Sequence, residues 1–572
     1  MEERRLPRRG AAGEEPLLTH AAQTVIETLL ARPRDEPGLA VSVTVGPEVA
    51  ARHCVGVASL EHHVPIGPHT RFHIVSVSKT FLAAATLTLA ARGALSLDDP
   101  VCRHLPELSA GGGVTIRHLL SMTSGLRDVL EIERLRGVWR AAESRPRDLL
   151  ELALRQTGVS APAGAQYMYA NVNAVLLEEV IARQSGMPAE EFRRAVLYEP
   201  LGLRATGARP HDGLIVPDLA EPYVPDGSGR WTRATHLLGI SADPLVTSLD
   251  DVTRWILALR SGTVSGVDIR TPMAEPSRLR DGRPVYYGLG LAVRRYRGLT
   301  VFCHTGSQPG YKAHVAYVPQ RDVGLAILSN REDTRPTALA AAILDQVIGP
   351  GFPEPHPVEG AARRLTTTGF TSAQLHTING RHLDVEAGEW VDLEIEDGVL
   401  RGETLGDPFF LYPEGGGVFR DGDDYRATAP VELRIDFARD DVVCRLDIGG
   451  QAMTLRKCAR PVQAAEALAA FVGRYENREI ASRHDIRLDG HDLVIDYGLG
   501  GDGELTFVME PIADDTFLVR PTAPGIAYRH LFRFERDATR RVASVVVTME
   551  RLKNVRLFRA AEGALARPVA LQ

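Results

Sequence analysis

A serine and a lysine three residues apart, Ser76 and Lys79, stand in the most chemically suggestive stretch of the chain, FHIVSVSKTFLAAATLTLAARGALSLDDP at residues 72–100. Residues i and i+3 share one helix face, so the Lys79 amine can approach the Ser76 hydroxyl. At a helix N-terminus the free backbone N–H groups and the dipole favour a developing oxyanion. Burial beside that positive end lowers a lysine's pKa toward the range where the amine can act as a base. The pair predicts a serine nucleophile with its activator. Further on, Tyr169-Ala170-Asn171 precedes an amphipathic helix, and His304-Thr305-Gly306 follows a β-rich run. Together they add a second proton carrier in Tyr169, an amide in Asn171 for a substrate carbonyl, and a strand for a substrate backbone. Taken singly, each has a plainer reading: a capping serine with a surface lysine, a core tyrosine, a strand-end histidine. Lysine is scarce, however. Of 66 Lys+Arg residues only Lys79, Lys312, Lys457 and Lys553 are lysines, and 62 are arginines. Arginine-favouring codon bias explains the bulk, but beside Ser76 the chemistry needs an amine that can give up a proton, which a guanidinium cannot do.

These groups must be carried by regular elements. Apolar periodicity predicts helices over 22–31, 80–92 (ending at Gly93), 172–184, 249–260 and 337–348. Strands are expected over 40–45, 301–304, 314–319 and 323–329, the last two joined as a hairpin, and His304 is expected to end its strand. Residues 1–18 read as a disordered tail, 19–350 as one domain, and the Pro/Gly-rich 351–360 as a linker. Residues 361–460 and 461–572 then change character. Short alternating strands separated by Gly/Asp turns predict two antiparallel β-barrels, similar enough to suggest duplication.

With these motifs in this order, the chain resembles the serine β-lactamase and penicillin-recognising superfamily in its class C-like branch. Supporting blocks occur in the family's order: LSLDDPV (95–101), VTIRHLLSMTSGL (114–126), YEPLGLRATG (198–207), SLDDVTRWI (248–256) and YGLGLAV (287–293). The resemblance covers roughly residues 35–350. It implies an α/β (α+β) catalytic domain, an antiparallel sheet flanked by helices, with a helical lobe and Ser76 at the seam. Met122 stands where relatives often carry histidine, and nothing in the chemistry depends on it. His304 stands where β-lactamases and transpeptidases usually place a lysine, which resembles the D-aminopeptidase and esterase-like branches instead. D-stereospecific aminopeptidases also carry two β-barrels after the catalytic domain, and a loop of the last barrel holds the substrate's free amine. The matching loop is YGLGGDGELTF (497–507), with Asp502 as the implied ammonium acceptor.

The resemblance implies acyl transfer through a covalent serine intermediate. Lys79 and Tyr169 take the Ser76 proton, and the backbone N–H groups of Ser76 and Ser307 hold the oxyanion. Gly306 and Ser307 border the substrate, Asn171 orients its carbonyl, and His304 assists the leaving group or stabilises Tyr169. The implied activity is hydrolysis of short peptides or amides with a free N-terminal D-amino acid. The alternatives are a β-lactamase-like esterase, a peptide cyclase or thioesterase on the same serine, and a non-catalytic binding or scaffold protein.

Composition narrows the rest. A chain of 572 residues, 44% apolar and with net charge −7, is neither a long disordered polymer nor, lacking a basic block, a nucleic-acid binder. Cys54, Cys102, Cys303, Cys444 and Cys458 form no CxxC pair, so neither a disulfide framework nor a structural zinc site is expected. No metal or organic cofactor is implied. The N-terminus lacks a signal-peptide core and there is no run of about 18 apolar residues, so a cytoplasmic location is expected. The expected partners are a small peptide, amide or ester substrate, no nucleic acid, no membrane, and a homodimer as one possible assembly.

Overall fold

The computed structural model describes residues 23–560 apart from 31–32, 139–144, 212, 235–244, 357, 359–370, 385–386, 405–407, 423–424, 426–429, 437–442, 459–464, 498–504 and 522–528. The tail 1–18, most of the linker's second half and Asp502 therefore lie outside the described residues.

Leu39–Val45 (β1) is buried at every position, as a strand covered on both faces must be. With β2 (Glu48–Val55), β3 (Ala292–Tyr296), β4 (Leu299–Gln308), β5 (Tyr311–Val318) and β6 (Val323–Ser329) it forms an antiparallel sheet of order β3-β4-β5-β6-β1-β2. Side chains alternate across a strand. Val41, Val43, Leu325 and Ile327 thus share one core with the helix Pro336–Ile348. Ala40, Ala313, Ala326 and Leu328 join the core built with helices α1 (Ser78–Ala91) and Leu249–Ser261. One expectation is corrected. β4 does not end at His304 but runs on to Gln308, because β5 pairs with every residue beyond it, down to Gln308 opposite Tyr311.

α1 is buried from Ser78 to Leu89, the state of a helix apolar on all sides. Its threonines fit because Thr80, Thr86 and Thr88 donate their hydroxyls to the carbonyls of Val77, Leu82 and Ala84. Trp255 stacks on Phe81 at 4.2 Å and donates its indole N–H to Thr80 Oγ1 at 3.0 Å. These contacts fix the helix that begins at the Ser76 turn.

Two closed eight-stranded antiparallel barrels follow, from Gly380–Asp384 round to Gln451–Lys457 and from Gly473–Asn477 round to Leu552–Arg559. In each the first strand pairs with the last, His382 with Lys457 and Tyr475 with Arg559. Closure leaves no open edge. The segment read as a linker begins as packed chain, with Phe352 against Tyr296 and under the Arg297 guanidinium at 4.4 Å.

Both barrels are keyed to the catalytic domain. Gly449 of the first accepts the Tyr167 N–H at 2.8 Å, and Asp447 pairs with Arg283 at 2.6 Å. From the second, Asn554 accepts from Arg127 and the Lys553 N–H donates to Ser160 Oγ, both at 3.1 Å. All five cysteines are free thiols. Among the described residues no helix is long and apolar enough to cross a membrane.

Candidate active site

Ser76 sits on a single 3-10 turn, Val75–Val77, that feeds directly into α1. Val75 ahead of it has φ +48°, a conformation a β-branched residue adopts only under constraint. Lys79, buried one turn further on, donates from Nζ to Ser76 Oγ and to Asn171 Oδ1, each at 3.1 Å. The i,i+3 spacing thus does bring amine and hydroxyl together, and Asn171 holds the amine in place. Asn171 stands immediately ahead of the helix Val172–Ser185. Its own N–H donates to Asp128 Oδ2, while Asp128 Oδ1 caps the helix Val129–Leu135 through the Leu130 and Glu131 N–H groups. The Tyr169 ring lies 5.2 Å from Lys79 Nζ and 6.2 Å from the His304 ring.

His304 is buried on β4. Its Nδ1 is 3.0 Å from the Thr305 carbonyl and its Nε2 is 2.9 Å from the Tyr287 hydroxyl. A carbonyl only accepts, so Nδ1 carries the proton and, in the neutral ring, Nε2 accepts from Tyr287. Tyr287 belongs to the YGLGLAV block, and the geometry explains that block. A Cβ on Gly290 would lie 2.4 Å from Ala83 Cβ, so the segment reaches the histidine by pressing its backbone against α1. Behind His304, His314 bridges Thr305 Oγ1 at 2.8 Å and the Tyr425 hydroxyl of the first barrel at 2.7 Å. Burial, with Arg294 and His304 nearby, pushes the His314 pKa down to about 3, so this histidine stays neutral.

Gly306 lies against the Ser76 turn: a Cβ there would come within 2.2 Å of Ile74 O and 3.1 Å of Ser76 N. Only a glycine lets β4 approach so closely. Ser307 follows, its Oγ accepting from Lys312 Nζ at 2.9 Å, and Lys312 also pairs with Glu332 at 2.9 Å. Seven of the eight expected site residues therefore converge. Asp502 is the one outside the described residues.

The cavity beside Ser76 has a volume of about 340 Å³ and is walled by all three parts of the chain. From the first barrel, Glu389, Phe409, Val431, Ile448 and Met453 lie at or near one end of their strands, so the cavity opens on that end of the barrel. From the second come Glu550, Arg551 and Lys553, at the turn between its last two strands. Lys553 forms a buried ion pair with Glu389, which also accepts from Gln451 at 2.9 Å. Motif reasoning missed Arg551, Glu389 and Lys553. The lysine count named Lys553 only as one of four lysines, with no role. Among the described residues no group of three or more His, Cys, Asp or Glu is arranged to hold a metal ion.

This fold and this constellation define a class. The Beta-lactamase family matches residues 25–348, more than half of the chain, and the chain belongs to it as a β-lactamase-fold serine hydrolase. Among named relatives it is similar to a D-aminopeptidase of Cereibacter sphaeroides, 24% identical over 84% of this chain and 88% of the relative. It is also similar to penicillin-binding protein 4* of Bacillus subtilis, 28% identical over 54% of this chain and 71% of the relative. Among solved structures, the octameric penicillin-binding protein homologue from Pyrococcus abyssi superposes with a TM-score of 0.51 at 21% identity. That match covers 87% of this chain and all of the other, a likeness of fold.

Proposed function

We propose that the chain hydrolyses amides and short peptides bearing a free N-terminal D-amino acid, through an acyl-enzyme on Ser76. The observation that carries this is the 3.1 Å approach of Lys79 Nζ to Ser76 Oγ beneath the Tyr169 ring. As Ser76 Oγ attacks the substrate carbonyl, its proton passes to the Lys79–Tyr169 pair, whose titrations are coupled. The carbonyl oxygen becomes an anion between the backbone N–H groups of Ser76 and Ser307. Asn171 Nδ2 orients the carbonyl, and the leaving amine takes a proton relayed by Tyr169 with His304 beside it. Water then attacks the ester, returning the acid and free Ser76. The D-amino acid preference is supported by the D-aminopeptidase relative, whose match covers 84% of this chain and so extends beyond the catalytic domain. Asp502 is the proposed acceptor of the substrate ammonium.

The test is a panel of D-alanine p-nitroanilide, L-alanine p-nitroanilide, a p-nitrophenyl ester and nitrocefin. It is run with wild type, Ser76→Ala and Lys79→Arg. The expected result is D-selective amide cleavage, abolished by Ser76→Ala and lowered by about 10³-fold or more by Lys79→Arg, which keeps charge but cannot release a proton. Cleavage that survives Ser76→Ala overturns the mechanism. Equal rates on the D- and L-anilides overturn the substrate class.

A further inference from the structure

The turn Glu550–Arg551 of the second barrel enters the catalytic cavity, and neither motif nor spacing marks it. The Arg551 guanidinium carbon lies 5.1 Å from the centre of the Tyr169 ring. Lys79 Nζ lies 5.2 Å from the same ring, so among the described residues two cations stand over this tyrosine. The catalytic domain supplies one of them and the barrel the other. On β4 the position that faces this region carries His304, and the nearby Lys312 is engaged with Ser307, Gln308 and Glu332.

The turn is also locked in place. The Arg551 carbonyl accepts the Asp128 N–H at 3.1 Å, and Asp128 in turn holds Asn171, which holds Lys79. Glu550 Oε1 accepts from Arg551 Nε at 3.1 Å and Nη2 at 3.0 Å. Burial works against the Arg551 charge, but Glu550, Asp128, Glu131 and Tyr169 outweigh it, and the guanidinium stays protonated.

We propose that Arg551 is a positioning residue for acylation: its fixed cation over Tyr169 favours the phenolate, so that Tyr169 can accept the Ser76 proton near neutral pH. This rests on the reading of Ser76, Lys79 and Tyr169 as the acylating group. The charged and titratable groups around Tyr169 divide by sign. Lys79 from α1 and Arg551 favour the phenolate. Glu550, Asp128 and Glu131 oppose it, and Glu131 is itself paired with Arg134 at 2.7 Å. His304 and Tyr287 border the ring from the sheet side, and Arg294 lines the same cavity.

The experiment measures the rate of Ser76 labelling by a fluorophosphonate from pH 5 to 10, with kcat and KM on a p-nitrophenyl ester. It compares wild type, Arg551→Met, Arg551→Lys and Glu550→Gln in the full chain. Arg551→Met is expected to move the acidic limb of the profile up by about one pH unit. At pH 7 it should cut labelling about tenfold, with the loss in kcat rather than KM. Arg551→Lys, which keeps the charge, should restore the limb. Glu550→Gln removes the opposing charge and should move the limb to lower pH. A purely structural role predicts lower rates with an unmoved limb for all three variants. That result, or Met and Gln variants shifting the same way, overturns the proposal. Should Arg551→Met fail to fold, Glu550→Gln decides alone: a lowered limb supports the proposal, and an unmoved or raised one refutes it. If wild type takes no label while the panel above still gives Ser76-dependent cleavage, the kcat profile replaces the labelling profile. If both are absent, the underlying reading has failed and the proposal falls with it.

Discussion

Gly306→Ala tests the junction between β4 and the Ser76 turn. The added Cβ would sit 2.2 Å from Ile74 O, with Ile74 C and Ser76 N each at 3.1 Å. Cβ atoms keep at least about 3.0 Å from such neighbours, so strand and turn must part by about 0.8 Å, and a backbone carbonyl cannot swing aside as a flexible side chain would. β4 has little room to retreat, being laddered to β3 through Cys303 and to β5 through Gln308. The displacement therefore falls on the Ser76 turn, where Val75 is already held at φ +48°. Moving one of the two proposed oxyanion donors by that distance forfeits most of its hydrogen bond. Loss of one such donor costs about 10²- to 10³-fold in kcat, or about 3 kcal/mol of transition-state stabilisation. The overlap itself costs about 1–3 kcal/mol of folding stability. Burst kinetics on a p-nitrophenyl ester, with circular dichroism to verify the fold, should give a kcat loss in that range and a KM within about threefold of wild type. A folded Gly306→Ala enzyme with kcat within about threefold of wild type would refute the argument that β4 and the Ser76 turn jointly form the oxyanion site.

Two further expectations concern stability. Lys553→Met leaves Glu389 buried with Gln451 as its remaining side-chain partner among the described residues, and breaking such a pair costs about 3–5 kcal/mol. Thermal melts should show most of that loss recovered by adding Glu389→Gln, and equal melting points for single and double variants would contradict the pair's role. The second concerns acid. Burial lowers the pKa of His314, His484 and His530 from 6.5 to about 3. Between those values the unfolded chain binds protons that the folded chain refuses, so stability falls as pH drops through this window. The slope is up to about 1.4 kcal/mol per pH unit for each histidine. Urea midpoints at pH 7, 5.5 and 4.5 should decline steeply, less so in His530→Gln, whereas a flat profile would mean these rings are not held neutral.

The meeting of residues on the Ser76 side of the cavity was legible because its signals are local. Ser76 and Lys79 meet through helix geometry alone, Tyr169 and Asn171 flank one helix start, and His304 and Ser307 share one strand. Family order then brought the three segments together. The barrels were legible as barrels because period-2 patterning and Gly/Asp turns survive in short strands. Where the barrels meet the site was not legible. Glu389, Arg551 and Lys553 reach the cavity through the seating of whole domains, for which no short spacing exists. Loop 497–507 stood out by its glycines, a backbone signal, whereas the turn at Glu550–Arg551 contains no glycine and reads as an ordinary charged hairpin. The lysine count included Lys553 of that wall but gave it no role.

That count has a structural explanation residue by residue. Lys79 has the amine chemistry proposed above. Lys312 satisfies Ser307 Oγ, the Gln308 carbonyl and Glu332 from a single nitrogen, a convergence that three tetrahedral donors manage and a planar guanidinium fork does not. Lys553 closes the cavity wall by joining the two barrels through Glu389. Lys457, whose Nζ donates to the Thr377 carbonyl at the seam of the first barrel, lies away from the cavity. Lysine is thus retained chiefly where one compact nitrogen must fit a buried site, and two of those sites lie at the proposed nucleophile and oxyanion positions. The third lies past residue 348, where the family match ends. The matched region supplies the proposed reacting groups, but residues 389–553 supply the opposite wall of the same cavity, and a cavity's walls decide which acyl groups can reach a nucleophile inside it. Family membership therefore accounts for the serine chemistry, while selectivity among substrates must be sought in how the two barrels are seated against it.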